Sequence, residues 1–126
     1  MLKARDVMTK EVITIGPDTG LEETVSRLVN NKISGMPVCD KDGSVVGMIS
    51  EKDVLNFIFS GNIKNTKVRE AMSTHIISFP PDADLDKIAL MMGEKQIRRV
   101  PILENGKLLG IVSRRSIIKT VLSMHK

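Results

Sequence analysis

Three stretches of this chain hold residue types that can bind an anion or a diol. The first is Gly47-Met48-Ile49-Ser50-Glu51-Lys52-Asp53. A glycine closes an apolar run, and a hydroxyl and a carboxylate stand three residues apart where a helix begins. Free N–H groups and the partial positive charge at a helix start suit a phosphate. A carboxylate one turn in can accept two hydrogen bonds from a ribose diol. The same Ser50-x-x-Asp53 spacing is also a plain helix cap, and on local spacing alone the cap is the stronger reading. The second stretch, Gly110-Ile111-Val112-Ser113-Arg114-Arg115-Ser116, repeats the pattern with Ser116 where the acid stood. The third is Arg98-Arg99, just before Val100-Pro101. Paired arginines near a helix start make a phosphate clamp, and a solvated surface accounts for them equally well.

Other reactive side chains form no set. Cys39 follows Val38 on an expected strand and reads as a packed small side chain, since no His or acid partner is identifiable for a nucleophile. His75 falls in a turn and His125 in the tail. Two His, one Cys and scattered acids give no metal-ligand spacing. No glycine cluster matches a dinucleotide or P-loop pattern. The eight Met read as core filler. We expect no enzyme, no metal and no catalytic cofactor.

The elements that position these residues come from an internal duplication. At an offset of 64 residues, Lys3–Met8 falls on Lys67–Met72, Val12–Glu23 on Ile76–Lys87 and Ile33–Val38 on Ile97–Ile102; after a one-residue deletion Gly43–Ser50 falls on Gly106–Ser113. Each copy predicts a strand at Val12–Ile15 ended by Gly16-Pro17. A helix follows, capped by Asp18 or Thr19, with Leu21, Val25, Leu28 and Val29 inward; the second copy offers Leu85, Ile88, Ala89 and Met92. A hairpin of Met36–Cys39 and Val45–Ile49 turns at Lys41-Asp42-Gly43. A last helix from about Ser50 turns Val54, Leu55 and Ile58 inward, matched by Ile117, Ile118, Val121 and Leu122. The fold class is therefore α/β: two β-α-β-β-α repeats, 1–59 and 68–126, joined by a polar linker at 60–67. Neither repeat covers both faces of its small sheet, so we expect them to pack across a pseudo-twofold axis with a cleft between them.

The duplicated unit, the Met36-Pro37-Val38 strand and the Gly-apolar-apolar-Ser-x-x-Asp tail resemble the cystathionine-β-synthase (CBS) repeat family over about residues 3–58 and 67–122. The resemblance implies a Bateman module: paired repeats holding an adenosine derivative such as AMP, ADP, ATP or S-adenosylmethionine. Carried over by position, it implies Ile13, Thr14, Met36, Pro37 and Val38 for the base, Asp53 for the ribose and Ser50 for phosphate. Their counterparts are Ile77, Ser78, Val100, Pro101, Ser113 and Ser116, with Arg98, Arg99, Arg114 and Arg115 supplying positive charge. Because Ser116 replaces the acid, the two sites should be unequal. The resemblance also implies a homodimer and a regulatory output to a separate effector protein.

Charge agrees with an anionic ligand. Residues 1–63 carry 7 Lys/Arg and 9 Asp/Glu, net −2, whereas residues 64–126 carry 12 and 6, net +6. A sequence pI near 9.4 raises nucleic acid as an alternative partner. The absence of Trp and Tyr removes base stacking, and a net +4 is modest, so that reading is disfavoured. A ligand-free assembly scaffold is the other alternative. No run approaches the roughly 20 apolar residues of a membrane span, and one cysteine fits a reducing compartment. We therefore expect a cytoplasmic location.

Overall fold

The computed structural model describes residues 1–60 and 62–124; Gly61 of the expected linker and His125 of the tail lie outside them. The chain forms two compact units. One is continuous, Ile13–Ile76, and the other is split, Met1–Val12 with Ile77–Lys126.

In the continuous unit, helix α2 (Leu21–Asn30) is followed by strands β1 (Gly35–Cys39) and β2 (Val45–Ser50), helix α3 (Glu51–Ser60), a 3-10 turn at Ile63–Asn65 and a short helix α4 (Val68–Ala71). The split unit contains α1 (Ala4–Val7), α5 (Leu85–Lys95), β3 (Arg99–Glu104), β4 (Lys107–Ser113) and α6 (Arg114–Met124). Each hairpin is antiparallel, with a register shift at the same place, Val38/Cys39 in one and Ile102/Leu103 in the other. Gly43 and Gly106, at φ 84° and 80°, supply the left-handed backbone that each turn requires.

The expected opening strand is reduced to one residue per repeat. Ile15 forms a single parallel bridge to Val38, and Phe79 one to Ile102. In the first copy, Ile15 N donates to Pro37 O and Cys39 N to Ile15 O, after which the chain turns through Gly16 and Pro17. Pro17 has no N–H with which to extend a ladder.

Helix α2 is capped differently from expectation. Its N-cap is Gly20, with no side-chain cap. A residue from far along the chain takes its first N–H: Leu21 N donates to Thr66 O, while Val68 N to Thr19 O and Arg69 N to Pro17 O dock the start of α4 on the loop before α2. Asp18 instead pairs with Arg69 at 2.8 Å. The N-terminal arm docks likewise in the split unit, where Leu85 N donates to Leu2 O and Ala4 N to Ala83 O. Lys3 Nζ reaches Asp84 at 2.5 Å.

Each arm also crosses a hairpin. Met48 bridges Ser73, and Thr9 bridges Ile111. Gly47 and Gly110 lie under these crossings, where a Cβ would stand 2.9 Å from Ser73 O and 2.8 Å from Thr9 O.

Two aliphatic cores result. Ile15, Leu21, Leu28, Met36, Val38, Ile49, Val54 and Val68 form one, and Ala4, Leu85, Ile88, Met92, Val100, Ile102 and Val112 the other. Several expected core positions are outside. Val29, Leu55, Ile58, Ile118, Val121 and Leu122 are exposed, as is Ala89. A two-stranded hairpin is narrow and covers one stripe of each helix, leaving the adjoining apolar stripe in solvent.

Candidate functional site

The residues with binding chemistry gather at the hairpin end where strand passes directly into helix. In the continuous unit this junction joins β2 to α3. Asp53 Oδ2 accepts from Ser50 N and Ser50 Oγ, each at 2.9 Å, while Asp53 N donates to Ser50 Oγ at 3.3 Å. This is a reciprocal capping box. All its carboxylate bonds fall on Oδ2, so Oδ1 is outside the box. A cap and a ligand acceptor are therefore compatible on one side chain.

The β4–α6 junction repeats the box with one chemical change. Ser116 Oγ accepts from Ser113 N and Ser113 Oγ, each at 3.1 Å, and donates to Ser113 O at 2.8 Å. Ser116 N donates to Ser113 Oγ at 3.1 Å. The hydroxyl's single donor is committed to the backbone. Where Asp53 keeps a second charged oxygen, Ser116 has none.

The surrounding charge is reversed as well. Arg99 stands opposite Ser113 in the ladder, and Arg114 N donates to Arg98 O at 2.9 Å. Arg98, Arg99, Arg114 and Arg115 therefore meet at one end of the split unit, and all but Arg99 are exposed. The corresponding positions in the continuous unit are Ser34, Gly35, Glu51 and Lys52, with Gly35 opposite Ser50 and Glu51 N donating to Ser34 O. One junction carries four guanidinium groups and no acid. The other carries two acids and one lysine.

Of the remaining expected residues, Met36, Pro37 and Val38 are buried, as are Val100 and Pro101. Ile13 is 38% exposed and Ser78 is exposed; Thr14 and Ile77 are half-buried. Arg27, to which the sequence assigns no role, fixes the Thr14 backbone: Nη1 donates to Thr14 O at 2.7 Å while Nη2 pairs with Glu23 at 2.6 Å. The Glu23-x-x-x-Arg27 spacing was the available signal.

Cys39 lines a different groove, about 610 Å3, with Asp18, Glu23, Lys41 and Arg69. Burial first, and the Asp40 charge second, push its thiol pKa up, which disfavours the nucleophilic thiolate. Among the described residues no group of three or more His, Cys, Asp or Glu is placed to hold a metal, and no helix is long and apolar enough to cross a membrane.

Comparison with known proteins places this architecture. The CBS domain profile matches twice, at residues 4–60 and 68–123. The chain is 32% identical over 114 residues to the CBS domain-containing protein YhcV of Bacillus subtilis (strain 168), covering 90% of this chain and 81% of that one. The crystal structure of CBSX2 in complex with AMP superposes with a TM-score of 0.92 at 25% identity, over the whole of both chains. The CBS domain pair of MJ0100, in complex with 5′-methylthioadenosine and S-adenosyl-L-methionine, has a TM-score of 0.84 at 24% identity, covering 100% of this chain and 99% of that one.

Proposed function

The chain belongs to the CBS domain family, and from that premise we propose that it is a non-catalytic regulatory module that binds an adenine nucleotide. The observation that carries this reading is the β2–α3 junction, where the capping box leaves Asp53 Oδ1 outside its hydrogen bonds. A diol needs acceptors, which Asp53 Oδ1 supplies. Taken by itself, the β4–α6 junction of the split unit carries Arg98, Arg99, Arg114 and Arg115, donors that suit the phosphate of AMP, ADP or ATP and would repel the sulfonium cation of S-adenosylmethionine. The ligand complexes of CBSX2 and MJ0100 support an adenosine ligand in general terms.

In this reading Asp53 holds the ribose and Ser50 the phosphate. Ile13, Thr14 and the backbone of Met36, Pro37 and Val38 meet the base. Ile77, Ser78, Val100, Pro101, Ser113 and Ser116 form a weaker second set. The module acts in the cytoplasm as a homodimer and passes ligand occupancy to a separate effector protein. Transmission requires the ligand to favour one conformation over another.

A dye-based thermal-shift screen tests the proposal. At 100 times its dissociation constant a ligand stabilises the fold by ~2.7 kcal/mol. AMP, ADP or ATP should raise Tm more than S-adenosylmethionine does. A shift confined to S-adenosylmethionine would overturn the nucleotide assignment, and a shift with none of them would leave the boxes as helix caps in an assembly scaffold. Tight, steeply salt-dependent binding of RNA would instead favour the nucleic-acid reading.

A further inference from the structure

We infer, resting on the nucleotide reading above, that Arg27 is a positioning residue for the base: by fixing the Thr14 carbonyl it gives the continuous unit a preference for adenine over other purines. Arg27 acts through Thr14 and need not touch the ligand. Adenine and hypoxanthine differ at one edge, where an amino group donates or a carbonyl accepts. A backbone segment free to turn can offer either a donor or an acceptor to that edge, whereas a fixed one offers a single pattern. Rejecting the mismatched analogue requires polar groups that stay in place.

Thr14 belongs to a segment with little ladder of its own. Ile15 N donates to Pro37 O at 3.2 Å and Cys39 N to Ile15 O at 2.9 Å, and this single bridge ends the pairing. Arg27 holds the residue before it: Nη1 donates to Thr14 O at 2.7 Å. Nη2 donates to Glu23 Oε2 at 2.6 Å, one turn earlier on α2. A guanidinium is a rigid planar fork, so a partner on each arm fixes the donor that Thr14 meets. The Thr14–Ile15 peptide is therefore tied to α2 at its carbonyl and to β1 at its N–H. Because Ile15 faces the core at 2% exposure, alternation turns the Thr14 side chain to the opposite side. The parallel sense of the Ile15–Val38 bridge carries Thr14 and Ile13 back toward Gly35, and Gly35 pairs with Ser50. The pinned segment thus runs toward the junction that holds Asp53.

The second copy separates positioning from folding. At the 64-residue offset Glu23 and Arg27 fall on Lys87 and Met91. Phe79 nevertheless keeps both bonds of its counterpart Ile15: Phe79 N donates to Pro101 O at 3.3 Å and Leu103 N to Phe79 O at 3.0 Å. The Met91 side chain has no N–H to offer Ser78 O, and it packs on the core instead. The bridge therefore forms without the Glu23–Arg27 pair, and what the pair adds in the first copy is the hold on the Thr14 carbonyl.

The test is calorimetric titration of the full chain with AMP and IMP, which share ribose and phosphate and differ only at the base. Arg27→Met installs the residue of the second copy at little cost in helix propensity. The wild type should prefer AMP. In Arg27→Met the AMP affinity should fall roughly three- to tenfold, the scale of ordering a loosened segment on binding, while the IMP affinity stays nearly the same. Arg27→Lys keeps one donor for Thr14 O and should restore part of the preference. Glu23→Gln weakens the hold on Nη2 without removing the guanidinium and should give a smaller loss in the same direction, so the outcome does not depend on one variant folding. Equal affinity of the wild type for AMP and IMP, a preference unaltered in Arg27→Met, or an equal loss for both nucleotides would overturn the positioning role while leaving the nucleotide reading standing. A wild-type chain that binds neither nucleotide would overturn both.

Discussion

Gly47 sits beneath the arm that carries Met72: a Cβ added there would lie 2.5 Å from Met72 Sδ and 2.9 Å from Ser73 O. A methionine end can swing aside, but the carbonyl belongs to the Met48–Ser73 bridge and is held on both sides, since Ser73 N donates to Met48 O and Met48 N to Ser73 O. Gly47→Ala should therefore destabilise the protein by about 1–3 kcal/mol, the usual cost of overpacking. Met72→Ala in the same chain should not restore it. Gly110→Ala, against Thr9 O at 2.8 Å, should behave the same way. Chemical denaturation of the three variants checks this, and full rescue by Met72→Ala would show that only the sulfur was in the way.

Asp53→Ser separates the cap from the acceptor. It installs in the first junction the box already present at Ser113 and Ser116, so the helix keeps its cap and loses the outlying Oδ1. AMP affinity should fall roughly ten- to a hundredfold, the range for losing hydrogen bonds to a charged group, while Tm without ligand changes little. Isothermal titration with paired melts reads both quantities. The reverse change, Ser116→Asp, should raise affinity at the second junction, and an unaltered titration there would count against reading that junction as a nucleotide site.

Acid should act on the clasp between Lys3 and Asp84. The hydrogen bond from Lys3 foremost, opposed by partial burial and aided by its positive charge, holds the Asp84 carboxyl below its ordinary value of 3.8. A carboxylate depressed in the folded state adds stability above that ordinary value, and the contribution disappears as pH falls through the lower folded value. The Tm difference between wild type and Asp84→Asn should thus be constant from pH 7 to about pH 5 and shrink below pH 4. A difference that grows on acidification would contradict the assignment.

Deleting residues 1–12 should damage one unit selectively. Ala4 is fully buried in the core of the split unit, with Leu2, Val7 and Met8 packed against it, and none of these residues belongs to the other core. Hydrogen exchange should speed up in α5, β3 and β4 of the truncated protein while Met36, Val38 and Ile49 stay protected. Uniform loss of protection would mean that the two units unfold as one.

The hairpins and the junctions are legible in the sequence because their signals are local. Turn glycines, Pro37 and Pro101, and the Ser-x-x-Asp spacing each act over a few residues. The capping of α2 is not legible, because Thr66, whose carbonyl receives the Leu21 N–H, arrives from more than 40 residues away. The stripes of α3 and α6 read as core for a related reason: Leu55 or Ile118 shows the same helical spacing whether it faces its own sheet or solvent. The unequal junctions are visible as Asp53 against Ser116, but only the folded geometry shows that the Ser116 donor is spent on the backbone.

The arms change what one repeat means. The continuous unit, Ile13–Ile76, is 64 residues long, which equals the sequence period, yet it begins ten residues after the first aligned repeat does. Each unit is therefore a cyclic permutation of the duplicated segment, made by exchanging arms between neighbours in one chain. Met1 and Met124 line the same groove, so a gene encoding 13–126, a short linker and 1–12 would give two consecutive units with no segment traded. The present order instead makes the connections near residues 12 and 76 obligatory passages from one unit to the other.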